Sequence, residues 1–359
     1  MRVVIAPDSY KGTLDQHEVA AVISTSLEAL GHTAVMKPMS DGGDGLLQSF
    51  KNEGYTKITV NITGPEGDTI EGNYYFKDGT AVIETAEACG LHLLTTSHPK
   101  DRTTFGVGEM IMHAMDQGAE HIILGLGGSS TNDGGYGMFM ALGGRATDED
   151  EMPCGIFNRD ISKITAIDTD SLRKFSDITL TVASDVDNPL LGQYGAIPVF
   201  GPQKGIASAE IEWFQTMLSH LAEKTRAAFP KSDPSASGAG AAGGLGWMLM
   251  NLGARITPGG ELVAREINLE EAIVDADAVI TGEGKSDAQT LHGKVPSVVA
   301  KLAKKYEKPC YLISGQLTAD LNDHFAAVYA LAETEGDIQN VMEDTALHLE
   351  QKIKEIFSE

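Results

Sequence analysis

Positive charge is scarce in this chain. Its 359 residues carry 27 Lys and Arg against 51 Asp and Glu, a formal net charge of −24. Nucleic acid and anionic membranes both require dense positive surface, so neither is expected as a partner. An anionic small molecule would need a site that is locally positive. Cysteine is scarcer still. Cys89, Cys154 and Cys310 are far apart and form no C-x-x-C pair. An odd count at such spacing points to reduced thiols in the cytoplasm rather than a disulfide framework. Residues 234–254, "PSASGAGAAGGLGWMLMNLGA", carry no charge, but Gly, Ser and Asn are too frequent there for a spanning helix. A Gly-rich turn leading into a packed helix is expected instead. Met1 opens directly on a strand pattern, so no leader segment is expected.

Several familiar motifs are also missing. The dinucleotide fingerprint G-x-G-x-x-G fails because Ser130 stands where a third glycine should follow Gly125 and Gly127. The phosphate-loop pattern G-x-x-x-x-G-K-[ST] fails in "VITGEGKS", where Val279 takes the first glycine position. Neither H-E-x-x-H nor G-x-S-x-G occurs.

What is present is a βα rhythm. "RVVIAP" reads as a buried strand, and Thr13–Gln16 has capping-box spacing. Val19, Val22, Ile23, Leu27 and Leu30 then mark one helix face, and Gly31 ends it. Residues 55–89 change texture, alternating with period two between Gly-rich turns, as an antiparallel meander does. After Thr103 the rhythm returns, with strands "HIILGL", "ITLTVAS", "DAVIT" and "PCYLISGQ". Alternating strands and helices imply parallel sheets covered on both faces. The expected fold is therefore α/β with two domains. Residues 1–60 and 270–359 form a parallel α/β/α Rossmann-like domain from both termini. Residues 61–269 form an inserted α/β domain containing the meander.

Ligands of open α/β sheets bind beyond the carboxyl ends of the strands. Six strand ends here carry small polar residues, five of them with a carboxylate: "DSYKG" from Asp8, "SDGGDG" from Ser40, "GLGGSSTNDGG" from Gly125, "SDVDNP" from Ser184, "GEGKSD" from Gly282 and "SGQ" from Ser314. The Gly-rich loop from Gly125 would bring main-chain N–H groups close to an anion, with Ser and Thr hydroxyls and the next helix N-terminus adding donors. It would bind phosphate without cationic side chains, which reconciles an anionic ligand with the net charge. Nearby carboxylates suit Mg2+ bridging protein to phosphate. Lys11, Lys204, Lys285 and Lys294 stand beside glycine turns and are candidate contacts for phosphate or carboxylate. A nicotinamide-dependent oxidoreductase is compatible with the βα texture but lacks its fingerprint. A non-catalytic phosphometabolite-binding protein would share the loops but not need the carboxylates.

Taken together, "APDSYKGTL", "MSDGGDG", "GLGGSSTNDGG", "ASDVDNPLLG", "VFGPQKG", "GAGAAGGLG" and "ITGEGKSDAQTLHGK" resemble the bacterial class-I glycerate kinases, the glycerate 2-kinase family, in the family's own order from Ala6 to Lys294. Where Lys285 stands, the family often carries Arg, which keeps the charge. The resemblance implies ATP-dependent phosphorylation of D-glycerate to 2-phosphoglycerate and ADP, with Mg2+, in a cleft between two α/β domains. The alternatives are phosphorylation at the 3-hydroxyl and a different small hydroxy acid as acceptor. For that reaction, Gly127, Gly128, Ser129, Ser130, Thr131 and Asn132 would hold nucleotide phosphates. Asp185 would be the base for the alcohol, with Asp8, Lys11 and Lys285 completing the catalytic set. Ser9, Asp41, Asp44, Glu283, Asp287 and Lys294 would bind substrate, and Asp187 and Asp133 would hold the metal ion.

Overall fold

Strand β1 (Arg2–Ile5) is buried at Val3, Val4 and Ile5, as a strand covered on both faces must be. In the computed structural model, which describes residues 1–43, 45–172, 178–291 and 293–358, it lies inside a five-stranded parallel sheet. Its neighbours are β2 (Thr33–Met36) and β11 (Ala278–Ser286), followed by β12 (Cys310–Leu317) and β13 (Ala327–Ala332). The order is β13-β12-β11-β1-β2. Helix Gln16–Ala29 buries Val19, Ile23 and Leu27 against this sheet's core, beside Leu349 and Ile353 of helix Thr345–Phe357. Its cap is not Thr13. Asp15 accepts from the Glu18 N–H at 2.7 Å, and Glu18 reaches back to the Asp15 N–H at 2.9 Å. Thr13 instead donates to the Tyr10 carbonyl, because a turn separates it from the helix.

A second sheet has the order β10-β9-β6-β5-β4-β3. Strands β3 (Thr56–Thr63), β4 (Thr69–Lys77) and β5 (Thr80–Glu84) form the antiparallel meander. From β5 onward the pairing is parallel, through β6 (His121–Gly125), β9 (Thr179–Ala183) and β10 (Arg255–Thr257). A small hairpin, β7 (Arg145–Thr147) with β8 (Ala166–Asp168), stands apart from it. The core of this part gathers Ile122 and Leu124 of β6, Val182 of β9, Phe139, Phe214 and Trp247.

The chain divides into two compact units. One comprises Met1–Asp41, Gln48–Glu53 and Pro258–Glu359; the other comprises Gly42–Leu47 and Gly54–Thr257. The second crossover falls at 257/258 rather than near 270. β10 completes the second sheet, whereas helix Gly259–Glu266, which follows at once, packs on helix Val295–Lys305 of the first unit. Glu53 stays with the first unit through Lys37, whose ammonium lies 2.9 Å from its carboxylate. Residues 241–251 form the expected packed helix, but Ala242, Gly243 and Gly244 have left-handed backbone at its start. Among the described residues, no helix is long and apolar enough to cross a membrane.

Candidate functional site

The parallel strands of the second sheet place the loops after β5, β6 and β9 at one edge. The β6 loop is the Gly-rich one, and it is locked in from several sides. The Gly128 carbonyl accepts from Leu91 N–H at 2.9 Å. Ser130 gives both its N–H (2.7 Å) and its hydroxyl (2.9 Å) to the Cys89 carbonyl. The Lys204 ammonium donates to Ser129 Oγ and to the Thr131 carbonyl, each at 2.9 Å. The Arg102 guanidinium donates to the Ser130 carbonyl at 3.1 Å and to the Lys204 carbonyl at 2.7 Å. Lys204 and Arg102 are 4% and 5% exposed, and no carboxylate lies within 4 Å of either among the described residues. Burial holds the Lys204 pKa down to about 8 and lowers that of Arg102.

This geometry redistributes the donors expected from sequence. Ser130 and Thr131 are fully buried, and the Ser130 hydroxyl faces inward. The partly exposed portion of the loop is Gly127 and Gly128, whose main-chain N–H groups have no acceptor among the described residues. Asn132 is fully buried, and neither atom of its amide has a hydrogen-bond partner among the described residues.

Asp133 is not placed as a metal ligand would be. Its carboxylate is fully buried and accepts from Thr104 N–H and hydroxyl (2.9 and 2.8 Å), Gly135 N–H (3.1 Å) and Gly137 N–H (3.1 Å). Burial pushes its pKa up while those donors pull it down. It thereby takes the N–H groups at the start of helix Tyr136–Ala141, which the sequence had offered to a ligand. Gly243 closes the loop from behind. A Cβ there would sit 2.1 Å from the Thr131 carbonyl, and its φ is +67°.

The loop after β9 carries Asp185 and Asp187, both exposed. The strand itself is buried, but Asp185 lies two residues beyond its end. Gly240 anchors this loop by donating to the Asn188 carbonyl at 2.8 Å. At the end of β5, Glu84 accepts from Gly45 N–H (2.9 Å) and Leu47 N–H (3.3 Å), holding the backbone at those two residues to the same edge. Gly42 makes its closest approach there: a Cβ would lie 2.7 Å from the Ala183 main chain, and φ is +84°. Asp44 lies outside the described residues. Glu84 and Arg102 were not expected at the site, and Lys204 was a candidate phosphate or carboxylate contact without an assigned role. Lys204 had a local signal, its place in "FGPQKG"; Glu84 is brought in by the pairing of β5 with β6, and Arg102 reaches the loop from the turn at Pro99–Asp101.

The first unit gathers a second group. Asp8 follows β1 and is bound to β11 through its N–H on the Gly282 carbonyl at 2.8 Å. One of its carboxylate oxygens accepts from Ser9 N–H at 2.6 Å. Burial, with the charges of Asp41 and Glu283, pushes its pKa up to about 7 against the pull of the Ser9 hydrogen bonds. Glu283 is buried and accepts from Ser286 (2.9 Å) and Thr290 (2.6 Å) hydroxyls, and Ser286 meets Ser314 at 2.5 Å. Lys294 lies 3.7 Å from the Glu283 carboxylate. Burial raises the Glu283 pKa, opposed by these partners. Asp287 caps the turn at residues 288–291 by accepting from Gln289 N–H. Lys11 and Lys285 are exposed, whereas Ser9 and Asp41 are half-buried. "GEGKS" is the end of β11 rather than a loop, since Lys285 and Ser286 pair with Gln316 and Leu317. A strand cannot wrap a phosphate, so no phosphate loop forms there.

Among the described residues there is no group of three or more His, Cys, Asp or Glu side chains able to hold a metal ion. Mg2+ that arrives with a nucleotide keeps waters and takes only one or two carboxylates. Exposed Asp185 and Asp187 fit that demand; Asp133 does not.

The glycerate kinase family model matches residues 3–359. The chain is 39% identical to the glycerate kinase of Bacillus subtilis (strain 168), over 99% of this chain and 97% of the relative. It is 42% identical to the glycerate 2-kinase of Escherichia coli (strain K12), over 89% and 87% respectively. The crystal structure described as glycerate kinase 2 of Salmonella typhimurium LT2 superposes with a TM-score of 0.85 at 37% identity, covering 99% of this chain and 98% of that one. A family match across nearly every residue, with the Gly-rich loop and both carboxylate groups inside it, means that this chain belongs to the glycerate kinase family.

Proposed function

We propose that this protein transfers the terminal phosphoryl group of ATP to the 2-hydroxyl of D-glycerate, releasing ADP. The observation that carries the nucleotide half is the Gly-rich loop resting on two buried cations without carboxylate partners. Buried charges of one sign are costly unless something compensates them, and an anion on the loop would do so. Main-chain N–H groups of Gly127 and Gly128 would take phosphate oxygens. Phosphoryl transfer asks for positioning and charge neutralisation more than for covalent chemistry. Asp185 and Asp187 would hold Mg2+, which would supply neutralisation of phosphate charge.

The acceptor half rests on the first unit. A base for an alcohol works best with a pKa near the working pH. Asp8 meets that condition through burial and its acidic neighbours. Asp185, favoured on sequence alone, is exposed. Lys11 and Lys285 would neutralise the glycerate carboxylate and the departing charge, with Ser9, Asp41, Glu283 and Lys294 shaping the substrate position. The three cysteines are free and buried, in keeping with a cytoplasmic enzyme.

Phosphorus NMR of the products from Mg-ATP and D-glycerate tests the reading directly. A 2-phosphoglycerate resonance is the expected outcome. A 3-phosphoglycerate resonance would overturn the position of transfer, and intact ATP would overturn the activity.

A further inference from the structure

Lys204 follows Pro202 and Gln203 in a single turn that Gly205 closes with φ of +87°. Its side chain runs inward. Among the described residues, the ammonium makes two hydrogen bonds, both to the Gly-rich loop: Ser129 Oγ and the Thr131 carbonyl. Arg102 grips the same two segments, donating to the carbonyls of Lys204 and Ser130 and, through its other nitrogens, to Ser97. The lysine is thus fixed from behind and fixes the loop in front. The buried ammonium is bound to a hydroxyl and a carbonyl, with no carboxylate within 4 Å among the described residues, and its bond to Ser129 falls on the residue that follows the Gly127–Gly128 turn.

We propose that Lys204 is a positioning residue for nucleotide binding, holding the loop from Ser129 to Thr131 in its phosphate-receiving shape and supplying positive charge from beneath it without touching the ligand. This rests on the nucleotide role of the loop proposed above. Three groups bear on the ammonium: the Cys89 thiol and Asp133 favour its charged form, while Arg102 and burial oppose it. With the pKa lowered to about 8, the charge is present at neutral pH and lost in mildly alkaline solution. A neutral amine keeps N–H donors, so the loop stays bonded but the charge beneath it disappears. Phosphate groups with a second pKa near 6 are already fully ionised in that range, so the ligand itself does not change there.

The test uses the full-length protein with Lys204→Met and Lys204→Arg. KM for ATP and for D-glycerate are measured from pH 7 to about pH 9.5, alongside the shift in Tm produced by ADP. Wild type is expected to show KM for ATP rising through pH 8, with KM for glycerate flat. Lys204→Met should raise KM for ATP about tenfold or more at pH 7 and shrink the ADP shift, with KM for glycerate changing less than about twofold. Lys204→Arg, charged throughout, should recover part of the ATP affinity and abolish the alkaline rise. A folded Lys204→Met with unchanged KM for ATP and unchanged ADP shift would sink the proposal. If that variant does not fold, a wild-type KM for ATP that is flat to pH 9.5 would sink it equally. ADP shifts separate the two readings. Wild type that binds ADP but turns over no glycerate refutes the proposed reaction alone, and wild type that shows no ADP shift refutes both.

Discussion

The Asp8 carboxylate collects its unusual acidity from three strands. β1 delivers it, Glu283 stands on neighbouring β11, and Asp41 follows β2 on the other side. Burial is the largest contribution and the two like charges add to it. The base form therefore fills as pH rises through about 7. kcat/KM for D-glycerate should climb across that range and level off above it. Asp41→Asn removes one like charge, so the midpoint should move to lower pH; an unmoved midpoint would detach Asp8 from the acid limb. Asp8→Asn should lower kcat by about 10²- to 10⁴-fold, the usual loss for a general base. Asp185→Asn should cost far less in kcat and act mainly on metal dependence. The reverse ranking, read from steady-state kinetics at saturating Mg2+, would return the base to the β9 loop.

At the scale of elements, the Gly-rich loop depends on a glycine more than a hundred residues away. Gly243 needs positive φ and also lets its backbone lie against Thr131, where a Cβ would come within 2.1 Å of a carbonyl oxygen. Gly243→Ala should therefore cost about 2 kcal/mol or more, from strain and forced displacement together. Urea denaturation would show this as a lower midpoint at unchanged slope, and the displaced Thr131 carbonyl should weaken nucleotide binding as well. A variant as stable as wild type would mean that the loop can give way. Much of this element was readable beforehand. "GLGGSSTNDGG" after an apolar strand announces a tight, backbone-rich loop. The partners of its polar groups were not readable, because Lys204, Arg102 and Thr104 come to it from other segments. Asp133 illustrates the difference: a carboxylate beside glycines is equally good as a ligand or as an internal cap, and only its four donors decide between them. The start of the first helix is a milder case, since Thr13 and Asp15 are both acceptable caps and the turn at Tyr10 selects Asp15.

For the whole molecule, a charge of −24 opposes the approach of anionic substrates. Screening should relieve this, since the Debye length shortens to about 10 Å at 0.1 M salt. kcat/KM for D-glycerate should thus rise about two- to fivefold between roughly 10 and 150 mM KCl. A steep fall instead would mean that exposed cations such as Lys11 and Lys285 steer the substrate despite the net charge.

Composition and periodicity determined the class of this protein before any coordinates: parallel α/β units, an antiparallel insertion, polar strand ends and a Gly-rich loop after an apolar strand. These are local properties, carried by residues close together in the chain. Tertiary structure decided which strand ends are neighbours, and with that which carboxylates raise one another's pKa and which cations lie under the loop. It also decided that "GEGKS" completes a strand and that the chain leaves the second sheet at Thr257. Such outcomes depend on burial and on pairing across hundreds of residues, and a charged side chain carries no local mark of whether it will face solvent, a ligand or the interior.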